Sequence, residues 1–343
     1  MNETKARGGM LGLVGGVVAV AGAVSLSLVA GCGDDTGTSS STSSSSNGGC
    51  APGEGCPAVE SECIAFADNA GKDRFALRLS QLRLTAPQGL SGDPTVRGIV
   101  DKGISLAYPG CKSETGDALF VGDGTFSWIL EFDTTTGTLR TGGALPEADP
   151  NLGYCFVNET IQGFDVQPFE ISAPITNGGF ETAERKDVVV PIYTSLTDRS
   201  KVILLPLRSL RIFGGSISAD QNCVGSFNAS GLDPNNLCLP DASTFQFVDG
   251  ASIDGYITLE EADVVTIPEL GGNSLCTLLA GPENLDTATK KCKRTGGVID
   301  FKGDWCAGAN EADPGTAATA NCADSVKLAA TFSASATTLR SCN

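Results

Sequence analysis

Beyond residue 70, apolar and polar residues alternate with a period of two over many stretches, which marks half-buried strands. Phe75, Leu77 and Leu79 alternate with Arg74, Arg78 and Ser80. Leu82 and Leu84 then continue on the opposite parity, so a bulge or bend is expected near Gln81. Phe126, Trp128, Leu130 and Phe132 share one face, with Ser127, Glu131 and Asp133 on the other. The turn-like residues 134–137 predict a hairpin into Leu139-Arg140-Thr141. Short strands are expected around Pro168, stronger ones over 188–193 and 202–213, and a further alternation at Phe245 and Phe247. From Val326 to Ala336 the period-two pattern is unbroken. Helical signals are confined to 260–264 and 274–280. Many short strands separated by Gly, Pro and Asn turns predict a mainly β fold, an antiparallel β-sandwich or jelly-roll-like unit with one or two short helices.

One internal echo accompanies this pattern. Leu77-Arg-Leu-Ser-Gln-Leu-Arg-Leu84 aligns without gaps to Leu205-Pro-Leu-Arg-Ser-Leu-Arg-Ile212. It fits a duplicated β domain, with a division near residue 195, and it equally fits two amphipathic strands that put arginine on a wet face. The primary division is residues 1–31, 32–49 and 50–343, the last as one disulfide-rich β unit.

The first segment is of a different kind. Lys5 and Arg7 precede an apolar run over residues 10–30 that ends in Leu28-Val29-Ala30-Gly31-Cys32. This is an export signal with a cysteine at the cleavage point. An uncleaved membrane helix is the alternative, but Gly12, Gly15, Gly16 and Gly22 each weaken a helix by up to about 1 kcal/mol relative to Ala. The LVAGC stretch resembles the lipobox of bacterial lipoproteins. That resemblance implies cleavage before Cys32 and attachment of a diacylglycerol and an amide-linked chain, enough acyl chains to hold a membrane stably. Gly33 stands where an inner-membrane retention Asp would stand, so the resemblance favours the outer membrane. Asp34 and Asp35 fit either surface display or simple solvation of the tether. Residues 36–49 are nearly all Thr, Ser, Gly and Asn and predict an unstructured spacer. With Ser226-Phe-Asn and Pro268-Glu-Leu, the chain also resembles myxobacterial-type lipoproteins with Ser-rich tethers, a likeness that carries no activity with it.

Thirteen cysteines support the lipobox, because assigning Cys32 to lipid leaves an even number in an exported chain. Cys223 with Cys238, Cys276 with Cys292, and Cys306 with Cys322 each flank a polar, turn-rich stretch, as a closed loop would. Closing such a loop is worth about 3 kcal/mol. Cys111 is expected to join Cys155, leaving Cys50, Cys56, Cys63 and Cys342 to pair among themselves. Zinc is disfavoured, since no Cys-x-x-Cys and no histidine occur.

The formal net charge of −17 keeps the protein soluble and repels nucleic acid, for which no motif is present. The lack of histidine removes the commonest general base and the Ser-His and Cys-His nucleophile pairs. No catalytic residue is therefore assigned. Paired carboxylates remain, which would suit a glycoside hydrolase if two acids faced each other across a groove roughly 5–10 Å apart, one with a raised pKa. Asp254-Gly-Tyr-Ile-Thr-Leu-Glu-Glu261 resembles the second half of an EF-hand loop, with Asp254 at position five, Gly255 at six and Glu261 at twelve. It departs from the pattern at Gly250 and Ser252, so a strand followed by a Gly turn and a short helix is the better reading, with calcium at Asp254 and Glu261 as the alternative. Trp128 is expected in the core and Trp305 against the Cys306 disulfide, although either ring would suit sugar stacking.

The expectation is a lipid-anchored envelope module for binding, adhesion or structure, without a required cofactor and with an envelope protein or a glycan as partner. A carboxylate hydrolase and a calcium-stabilised adhesin are the alternatives. Replacing Cys32 with Ala is predicted to release the protein from membranes, as fractionation would show; retention would favour an uncleaved helix.

Overall fold

The computed structural model describes residues 65–92, 124–227, 232–233, 239–240 and 247–342. Cys32, the Ser-rich stretch and Cys50, Cys56, Cys63, Cys111 and Cys238 lie outside these residues. Eight strands form the backbone of one antiparallel sheet: β1 (Arg74–Ala86), β2 (Trp128–Asp133), β3 (Thr138–Gly143), β4 (Phe169–Ser172), β5 (Lys186–Tyr193), β6 (Val202–Phe213), β7 (Ala251–Thr258) and β8 (Ser325–Thr337). Their order across the sheet is β4-β3-β2-β1-β8-β7-β6-β5. Strands on both sides of residue 195 thus belong to one sheet, which leaves no division there.

The interior that two facing sheets would enclose is enclosed here by one sheet curling on itself. Ile171 of β4 and Val190 of β5, from opposite edges, share a hydrophobic cluster with Leu77, Leu130, Ile212 and Phe332 from between them. Small and ring-closed residues let the edges approach. A side chain on Gly143 of β3 would collide with the ring of Pro191 of β5. Among the described residues β5 pairs on one side only, with β6, so the missing N–H of Pro191 breaks no ladder there.

Curling demands that each long strand keep one face inward through a bend. In β1 the parity switch is a bulge: Leu79 and Gln81 sit opposite successive residues of β8, Ala334 and Ser333. Leu79, Leu82 and Leu84 consequently line the same interior space. In β6 the same device recurs. Arg208 to Arg211 spans three steps where β7 takes two, and Leu207 to Leu210 does so against β5. The extra residue is Ser209, held at φ +55°, and Leu205, Leu207, Leu210 and Ile212 all remain inside. The sequence echo therefore marks two bulged strands of one sheet, with β7 and β8 between them.

Arg78 does not reach water as the alternation suggests; it is 3% exposed. Its face of the sheet is covered by Tyr154, Phe156 and Ala144, which cluster with Ala76 and Ile129. The guanidinium donates to the Phe126 and Leu79 carbonyls, each at 2.8 Å, and to Ser127 Oγ at 3.1 Å, and lies over the Tyr154 ring. The covering segment is tied down by Cys155, which bonds to Cys342 and not to Cys111 (Cα–Cα 5.4 Å). The reason is register: Tyr154 bridges to Leu339, and its N–H donates to the Thr338 carbonyl, bringing the C-terminal segment alongside.

The two expected helices are α2 (Leu259–Val264) and α3 (Leu275–Ala280), with a short α1 (Gln88–Ser91) before them. The α2–α3 layer forms a second hydrophobic cluster around Ile257, Leu275 and the Cys276–Cys292 disulfide (Cα–Cα 5.8 Å). Cys306 bonds to Cys322 (Cα–Cα 5.3 Å), and Cys223 is also disulfide-bonded.

At the β6 bulge, a Cβ on Gly255 of β7 would lie 2.9 Å from the Arg208 carbonyl oxygen. Gly255→Ala is predicted to destabilise the fold by about 1–3 kcal/mol. A denaturant midpoint unchanged from the parent would contradict that close approach.

Candidate functional site

The curled sheet does not fill its own interior. A cavity of about 220 Å³ lies between the main core and the α2–α3 layer. β1, β2, β5, β6, β7 and β8 line it, closed at one end by Leu90 of α1 and by Leu275 and Leu278 of α3. Apart from Asp254 and Gly255, every lining residue among the described ones is apolar. Leu82, Leu84, Ile192, Leu205, Leu207 and Leu328 face this space and are only half-buried. An apolar void of roughly 150 Å³ already stays dry and admits a benzene-sized guest, so this one is large enough to matter.

Beside it lies a second recess of about 300 Å³ with a different character. It sits at the seam of the curl, between β4 on one side and β5 and β6 on the other. Phe164, Phe169 and Pro206 supply apolar surface there, and Asp165, Gln167, Asp187, Arg208 and Glu261 supply polar groups. The two spaces share Trp128 and Leu207 as a common wall. Trp128 is 4% exposed, and its Nε1–H finds no acceptor among the described residues. Leaving such a donor unmet costs about 1–3 kcal/mol.

The acids of the seam are occupied by local structure. Glu261 closes the α2 capping box with Thr258 and accepts from Arg208 Nε at 2.8 Å. Asp187 accepts from the Ser209 N–H at 2.9 Å and from Arg208 Nη1, so it satisfies the bulge. The hydrogen bonds that Arg208 donates to Glu261, and then to Asp187, push its guanidinium pKa above its usual range. Where carboxyl pKa values depart from the ordinary range among the described residues, they go down. Asp133, Asp198 and Asp220 are held there first by neighbouring hydroxyls, Asp286 and Asp313 by backbone N–H groups. In the seam, Asp187 and Glu261 both hold Arg208.

The EF-hand-like residues are not brought into one loop. Asp254 lies within β7, with its carboxylate 3.0 Å from Arg185 and 3.8 Å from Lys327. Glu261 faces Arg208, and Gly255 is inside the strand where a turn was expected. Two groupings of ligand-type atoms occur among the described residues, Asp263 with Cys276 and Cys292, and Asp324 with Cys306 and Cys322. In both the sulfurs are bonded to each other, so no thiolate is offered. Asp263, 2% exposed, instead accepts from the Cys292 N–H (2.8 Å), Ser274 Oγ (2.9 Å) and Arg294 (2.9 Å), which ties both helices to the disulfide. Trp305 donates to the Pro314 carbonyl at 2.8 Å and lies under Lys327.

Compared with known proteins, the chain matches no family model, no curated sequence and no solved structure. The cavity and seam therefore stand on their own geometry. The alternation placed Trp128 in the core but did not distinguish a filled interior from a hollow one. The signal that was present is the pair of parity switches, because two strands that bend inward imply a curved sheet.

Glu261→Ala removes half of the capping box and one partner of Arg208. It is predicted to lower stability by about 1–2 kcal/mol, allowing for the exposure of Arg208. A urea midpoint equal to that of the parent would contradict the role given to this carboxylate.

Proposed function

We propose that this protein is a lipid-anchored cell-envelope binding protein whose curled sheet houses an apolar ligand. The observation that carries the reading is the 220 Å³ cavity, whose lining among the described residues is apolar at every position but Asp254 and Gly255. A native core is normally packed to the density of an organic crystal. Half-exposed Leu and Ile side chains around a void forgo both burial and dispersion contacts, at a cost that a bound guest recovers. The anchor expected at Cys32 would hold this binding unit at the outer membrane, next to lipids and other apolar molecules. Taking a guest into a preformed pocket needs no histidine and no metal.

The chain from residue 32 onward carrying Cys32→Ser, which lacks the apolar leader and the lipid attachment point, is suited to a detergent-free test. N-phenyl-1-naphthylamine, a neutral apolar fluorophore, is predicted to bind one per chain with a Kd on the order of 1 μM, equivalent to about 8 kcal/mol. Leu205→Trp, which projects bulk into the cavity, is predicted to weaken that binding at least tenfold while leaving the melting temperature unchanged or higher. Absence of saturable binding, or binding that Leu205→Trp leaves intact, would overturn the proposal.

A further inference from the structure

Two elements close the end of the cavity, α1 and α3, and they are held in very different ways. Resting on the reading of the cavity as a ligand site, we infer that α1 is the door through which the apolar guest enters and leaves, with the Leu90 side chain as its latch. The turn of α1 swings outward while α3 stays in place.

Three observations carry this. The first is how α1 is attached. The Leu90 and Ser91 N–H groups donate to the Pro87 carbonyl, and the Gly92 N–H and Ser91 Oγ donate to the Gln88 carbonyl. Each of these bonds begins and ends within residues 87–92. Among the described residues none ties the turn to the sheet or to α3, so outward movement of α1 breaks no hydrogen bond to the body of the protein. Leu90 is the one residue of the turn that lines the cavity. It is 6% exposed, whereas Gln88, Gly89 and Gly92 are open to solvent. A single turn carrying one apolar side chain therefore stands between the void and water.

The second observation is the contrast with α3. Its N-cap residue, Ser274, donates through Oγ to Asp263 at 2.9 Å and through N–H to the Lys290 carbonyl at 2.8 Å. The Leu275 N–H donates to the Val265 carbonyl at 2.8 Å, and Cys276 is bonded to Cys292. Displacing α3 would break all of these, and the surrounding strands are held in ladders. Segments held by few buried contacts are the ones that open at low cost. At this end of the cavity, that segment is α1.

The third is the backbone on either side of the latch. Gly89 precedes Leu90 and Gly92 follows Ser91, and no side-chain hydrogen bond caps the start of the turn. A Cβ on Gly89 would meet nothing within 4 Å, so no neighbour restrains the chain there, and glycine leaves it its full freedom. A guest in the cavity packs against Leu90 and so favours the closed position, which makes the ligand hold its own door shut.

The test is stopped-flow fluorescence of N-phenyl-1-naphthylamine on the chain from residue 32 onward carrying Cys32→Ser, read as association and dissociation rate constants. Gly89→Ala stiffens the turn without entering the cavity and is expected to lower both rate constants about threefold at unchanged Kd. Leu90→Ala removes the latch and is expected to raise both at least about tenfold, whereas Leu90→Met keeps the rates of the parent. Leu278→Ala, the same deletion made on α3, is expected to leave the association rate constant as it was. Rate constants unmoved by both Gly89→Ala and Leu90→Ala would place entry elsewhere and overturn the inference while leaving the cavity reading intact. An equal acceleration by Leu278→Ala would show that the whole end opens, and would overturn it too. If Leu90→Ala fails to fold, Gly89→Ala decides alone, because its added methyl points into open space. Failure of the fluorophore to bind at all would remove the cavity reading and this inference together.

Discussion

A sheet that curls far enough to enclose space must bend its long strands, and a bent strand tends to turn its side chains out of phase with the interior. This constraint governs the molecule. In β1 and β6 one extra residue is inserted at the bend, so that Leu79 and Leu82, and likewise Leu207 and Leu210, point the same way although their parity differs. The β6 insertion needs support, because Ser209 adopts a left-handed conformation that a non-glycine residue rarely takes. Asp187 accepts the freed Ser209 N–H, and Gly255 on the opposite neighbour leaves room for the displaced Arg208 carbonyl. Arg208, thrown outward by the same bulge, then reaches Glu261 at the start of α2. One backbone irregularity thereby sets the curvature, the position of the helical layer and the chemistry of the seam.

Around this frame the outer parts act as braces. The Cys276–Cys292 disulfide and the buried Asp263 hold α2, α3 and the following hairpin together, so the layer that closes one side of the cavity does not depend on dense packing against the sheet. The Cys155–Cys342 bridge fixes the segment over the opposite face, where Arg78 is enclosed beneath Tyr154. A cavity survives in a small protein only if its walls cannot collapse inward. Disulfides and buried polar ties supply that stiffness where apolar contact is missing, and this links the cysteine-rich composition to the hollow interior.

Much of the fold was legible from alternation. The hairpin of β2 and β3, the long β8, the bulge in β1 and the two short helices all follow from local pattern and turn chemistry. What was not legible depends on contacts distant in sequence. Arg78 looks solvated in its strand because its cover, Tyr154 and Phe156, lies far along the chain. Cys155 is expected to join Cys111, whereas its partner, Cys342, is set by the bridge between Tyr154 and Leu339. Asp254 and Glu261 match calcium-ligand spacing, yet each faces an arginine brought by another strand or loop. The cavity was the least legible feature, since a Leu facing a void and a Leu in a packed core give the same alternation. The echo between 77–84 and 205–212 held the available clue, because both copies carry the inserted residue.

The central claim is that the curled sheet encloses an apolar space open to a guest. A crystal structure of the protein under xenon pressure tests this without assuming any ligand, since xenon enters dry apolar voids and ignores polar ones. Xenon bound among Leu205, Leu278 and Leu328, with the surrounding strands unmoved, is the predicted result. An unoccupied, tightly packed interior at those residues would contradict the account.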